Sequence, residues 1–141
     1  MKFISKEEFL KQPKEVQDKI KELWNPEQWD IFAYRNRKGN PYMMWRCEDG
    51  MILSTRSDVW IDLDDDNIIP LLTMDKMIEM IERITDLYLE IVYDFATGDL
   101  ELILFKDPKG YDVVLDNNKF KSNDRLTLLW NTLTETIKEN L

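Results

Sequence analysis

The run Leu87-Tyr88-Leu89-Glu90-Ile91-Val92-Tyr93-Asp94, then Phe95, Ala96-Thr97-Gly98-Asp99 and Leu100-Glu101-Leu102-Ile103-Leu104-Phe105, decides the fold. Aromatic and branched apolar residues fill both arms, as strands favour. Ala96-Thr97-Gly98-Asp99 between them is turn chemistry. Two strands joined by so short a turn must be antiparallel, because a parallel pair needs a crossover of a dozen or more residues.

Working outward, Asp107-Pro108-Lys109-Gly110 has the composition of a type I or II turn, and Tyr111–Leu115 reads as a third strand. Ser122 is the expected cap of a final helix over about 123–139, where Leu126, Leu129, Trp130, Leu133 and Ile137 keep i, i+3, i+4, i+7 spacing. Upstream, Thr73 is an N-cap with Asp75 in the first turn, and Met74, Met77, Ile78, Ile81 and Ile84 form the apolar stripe of a helix over 74–84. Trp29–Arg35 alternates as a strand, and Lys38-Gly39-Asn40-Pro41 is a turn cluster. Tyr42–Cys47, Asp49-Gly50 and Met51-Ile52-Leu53 read as a hairpin. Val59–Leu63 is a further strand or an irregular crossover. Ser5 with Glu8 forms a capping box for a helix over 6–11, and Val16, Ile20, Leu23 and Trp24 give a second over 14–23. The order is α-α-β-β-β-α-β-β-β-α. The expected class is α+β, with an antiparallel sheet of about six strands covered by helices, in a single domain spanning 1–141.

Composition removes whole classes of chemistry. The 141 residues include no histidine, so a histidine general base, a Ser-His-Asp or Cys-His pair and an imidazole zinc site are all excluded. Cys47 is the single cysteine, which excludes an intramolecular disulfide and fits a reducing compartment. On its strand it reads as a core thiol, with Arg46 placed to lower its pKa slightly. Four glycines leave no GxGxxG, Walker or GxSxG motif. The N-terminal residues lack the apolar run of a signal peptide, and no window approaches a membrane span. The expectation is a soluble, cytoplasmic, non-enzymatic protein without a cofactor.

Charge is unevenly spread. The whole chain carries 19 basic and 28 acidic residues, net −9. Residues 1–40 hold 9 basic and 7 acidic residues, net +2, with the basic ones offset at helical spacing, as in Glu15–Lys19. Residues 48–101 hold 3 basic and 15 acidic, net −12. Such acidity argues against direct nucleic-acid binding and against a single-strand stacking groove.

Within that acidic segment, Asp62, Asp64 and Asp66 take positions 1, 3 and 5 of an EF-hand-like loop. Asn67 and Thr73 stand where Gly and Glu belong, and Pro70 interrupts the loop. A weak calcium or magnesium contact at Asp62, Asp64 and Asp66 is therefore the cation reading. A polar loop ahead of a helix is the plain one. Trp60 beside Asp62, Asp64, Asp65 and Asp66 is suited to anchoring a basic protein surface. Asp99 and Glu101 on the 94–101 hairpin extend that candidate surface. Trp24 and Trp130 read as core, Trp45 and Trp60 less securely so.

Asn67-Ile68-Ile69-Pro70-Leu71-Leu72-Thr73, the closing Leu128-Leu129-Trp130 helix, and the opening Phe3-Ile4-Ser5-Lys6-Glu7-Glu8-Phe9-Leu10 with Trp24 and Trp29 carry a resemblance. Together they resemble small acidic uncharacterised proteins of phages and prophages of low-GC Gram-positive bacteria. The resemblance implies an accessory protein of a mobile element in the bacterial cytoplasm, a setting in which such proteins inhibit host defence or act as adaptors. The expected function is an acidic protein-binding module directed at a basic host protein, in the manner of a DNA mimic. An immunity-type protein that neutralises a basic toxin is a close variant. The rival class is a divalent-metal or small-ligand module built on Asp62–Asp66, and a homo-oligomer through an open sheet face or edge strand is a third reading.

Overall fold

The computed structural model describes residues 2–107, 113–122 and 124–141. The class is α+β. Four helices and eight strands run in the order α1 (Lys6–Leu10), α2 (Lys14–Leu23), β1 (Ile31–Tyr34), β2 (Tyr42–Glu48), β3 (Met51–Ser54), β4 (Ile61–Asp62), β5 (Ile68–Leu71), α3 (Met74–Thr85), β6 (Tyr88–Tyr93), β7 (Leu100–Phe105), β8 (Val113–Ser122) and α4 (Arg125–Glu139). The strands make two antiparallel sheets, β4-β3-β2-β1-β5 and β6-β7-β8. The chain forms two compact units, Phe3–Leu72 and Thr73–Leu141 with the first two residues.

In the Phe3–Leu72 unit, the Asp-Gly signal forms the β2–β3 hairpin. Asp49 and Gly50 both take positive φ, 50° and 74°, as a type I′ turn requires. Tyr34 pairs with Ile68 and Ile31 with Leu71, which seats β5 beside β1. Ser5 caps α1 by accepting from the Glu8 amide at 3.1 Å. Phe9, Val16 and Ile20 are buried, each contributing about 1.5–3 kcal/mol by leaving water. Exposed ion pairs on the same helices contribute only about 0.2–0.5 kcal/mol each. Those pairs are Lys14–Asp18 and Lys19–Glu22, in place of the expected Glu15–Lys19 pairing.

In the second unit, β6 and β7 pair in unbroken register from Tyr88–Phe105 to Tyr93–Leu100, as the opening stretch of sequence dictates. Thr73 caps α3, and α3 packs on α4 through Met77, Met80 and Ile81 on one side and Leu129, Leu133 and Ile137 on the other, all buried. The cap of α4 is Asp124, whose carboxylate accepts from the Leu126 amide at 3.0 Å, and not Ser122, which ends β8. Most of the expected Asp107–Gly110 turn, and Tyr111, lie outside the described residues. Among the described residues, no helix is long and apolar enough to cross a membrane.

Candidate functional site

The aspartate-rich part of the acidic segment lies between β3 and β5. Arg56 anchors its start: the guanidinium donates to the carbonyls of Asn40 (2.9 Å) and Pro41 (2.6 Å) and stacks on Tyr42 at 3.9 Å. Ser57 accepts from the Val59 amide at 3.1 Å, and the chain then exposes Val59 and Trp60, 68 % and 37 % accessible.

After β4 the aspartates organise the backbone. Asp62 Oδ1 accepts from the Asp64 amide and Asp65 Oδ1 from the Asn67 amide, both at 2.9 Å, two successive Asx turns. Asp65 N–H donates to the Asp62 carbonyl at 3.1 Å. Two cations then fasten the loop by its carbonyls: Lys21 Nζ donates to Asp65, and Arg35 Nε donates to Asp66 at 3.3 Å. Partial burial pushes the Lys21 ammonium below its ordinary pKa, a shift that the charges of Asp66, Asp65 and Asp64 oppose.

Trp60, Asp62 and Asp65 line one shallow depression of about 450 Å³ with Tyr34, Arg37 and Val59. Asp64 and Asp66 are exposed on the same loop. Asp99 and Glu101 belong to the β6–β7 hairpin of the other compact unit, where both are half-buried. There the Asp99 carbonyl accepts from the Asp94 amide at 2.9 Å, and Glu101 pairs with Val92 in the ladder. Tyr34 and Arg37 belong to the depression without any sequence proximity to residues 58–66. The signal for them is an aromatic and a cation three residues apart at the end of a strand, and Arg37 does lie over the Tyr34 ring at 4.4 Å.

Among the described residues, no three acidic or thiol side chains gather as a metal-ligand group. Of the three aspartates read as a cation loop, Asp62 turns one carboxylate oxygen to the Asp64 amide. Cys47 is half-buried, and burial together with the Asp30 carboxylate pushes its thiol up, opposite to the lowering expected from Arg46. Trp24 and Trp130 are core, as their helix faces indicate. Trp45 is 39 % accessible and meets Trp29 edge to face at 5.3 Å. Compared with family models, curated proteins and solved structures, the chain finds no match.

Proposed function

We propose that the chain is a non-enzymatic protein-binding module of a mobile element, an inhibitor or adaptor that engages a basic surface of a bacterial host protein. The observation that carries this reading is the Trp60 depression. A half-exposed indole stands beside the carboxylates of Asp62 and Asp65, with Asp64 and Asp66 exposed on the same loop, and Arg37, held over the Tyr34 ring, also lines the depression. That combination suits a lysine or arginine of a partner: the indole face attracts the cation, the carboxylates pair with it, and the surrounding acids speed encounter. Tryptophan is among the residues most enriched in binding hot spots.

The test is affinity capture from lysate of a low-GC Gram-positive host, using the wild type, Trp60→Ala and the triple variant Asp62/Asp64/Asp65→Asn. The expected result is a basic protein held by the wild type, with affinity reduced at least tenfold by either change and falling as salt rises. Capture that is the same in all three proteins would overturn the reading.

A further inference from the structure

The Phe3–Leu72 unit contains a second depression, of about 340 Å³, with the opposite chemistry. Its wall carries Lys6, Arg37 and Lys38 against a single carboxylate, Glu7, with Tyr34 and Tyr42 beside them. In a chain of net charge −9, three cations converge here. Among the described residues, no carboxylate lies within ion-pair distance of any of the three. Elsewhere on this surface, lysines and acids do pair.

The wall is also held in place. Lys6 Nζ donates to the Arg37 carbonyl at 2.8 Å, which leaves two ammonium hydrogens to offer. Arg37 rests on the Tyr34 ring, and Arg56 grips the carbonyls of Asn40 and Pro41. Gly39 takes φ +117° with open space where a Cβ would stand. Among the described residues, the Lys38 and Gly39 amides have no hydrogen-bond acceptor. Unpaired amides on a loop fixed by its carbonyls, next to a guanidinium and two ammonium groups, are the components of an anion site.

We propose that this depression binds a small phosphoryl anion. Three cations against one carboxylate leave a net of +2, which matches the charge of about −1.5 to −2 that a phosphate monoester carries at neutral pH. A guanidinium fork with flanking ammonium groups suits phosphate oxygens. The volume falls at the small end of the ~300–1,000 Å³ range of small-molecule sites, room for a mononucleotide-sized body as well as its phosphate. The depression shares Tyr34 and Arg37 with the Trp60 depression, whereas Lys6 and Lys38 line this one alone, so replacing those two lysines tests it separately.

The test is calorimetric titration at 0.15 M salt with adenosine 5′-monophosphate, inorganic phosphate and adenosine, on the wild type, Lys38→Gln and the double variant Lys6→Gln/Lys38→Gln. Circular dichroism establishes that each variant is folded. Lys38 is exposed, so its replacement leaves the fold intact. The expected result is saturable binding of the monophosphate, at least tenfold weaker for adenosine and at least tenfold weaker in the double variant, with Lys38→Gln between. Inorganic phosphate binding as tightly as the monophosphate supports the same site with the free anion as its ligand. No saturable binding of either phosphate, or equal binding in wild type and double variant, overturns it. Partner capture by the double variant stays at wild-type strength, which separates failure here from failure of the Trp60 reading.

Discussion

Trp29 occupies backbone that its side chain disfavours. Its φ is 76°, in the region where an ordinary residue costs about 1–3 kcal/mol. Two backbone bonds fix it there: the Trp29 amide donates to the Met44 carbonyl and the Met44 amide to the Asp30 carbonyl, each at 2.8 Å. The indole is 48 % accessible and its ring contact is with Trp45, a pairing of about 0.5–1.5 kcal/mol. Relief of strain and loss of contact therefore nearly cancel on Trp29→Gly, which should change unfolding free energy in urea by less than about 1 kcal/mol. Trp45→Ala loses the same contact without that relief and should cost more. A larger loss for Trp29→Gly than for Trp45→Ala would show the indole to be a packing residue.

At the scale of elements, the caps and stripes were the most readable part of the chain. Ser5 and Thr73 cap the helices that their spacing announces. Asp124 does so for α4, and it also accepts from Thr127 Oγ1 at 2.9 Å. Asp124→Ala should cost about 1 kcal/mol, read as a fall of about 3–4 °C in Tm, and Asp124→Asn should restore most of it. What the sequence concealed was β5. Ile68-Ile69-Pro70-Leu71 is buried at every position, so it has no period-two alternation, and its proline argues against a strand. Missing it leaves β1 at the edge of its sheet. The same pairing explains the site. Trp60 and the aspartates were legible as a local run, whereas Tyr34 and Arg37 reach them only because β1 lies against β5 and the Arg35 amide donates to the Asn67 carbonyl at 2.7 Å.

Across the whole molecule, charge follows pH in a simple way. With no histidine, hardly any side chain titrates between about pH 6 and 8, so the excess of acids persists unchanged across that range. Copies repel one another there. The isoelectric point is about 4.6, where that repulsion vanishes. Turbidity of a concentrated solution should be flat from pH 6 to 8 and peak near pH 4.6; a second peak near neutrality would contradict this.

The ends of the five-stranded sheet have a consequence for how the protein behaves among its own copies. A bare strand flank is a template on which a passing extended chain can register and grow into a fibre. Here one flank, β4, is only two residues long. The other, β5, contains Pro70, which has no amide hydrogen to give, and just past it the Leu72 carbonyl is already taken by the Ile4 amide at 2.9 Å. Neither flank offers a newcomer a continuous ladder. The unit can therefore display half-bare indoles at Trp29, Trp45 and Trp60 at high concentration without seeding strand-by-strand growth.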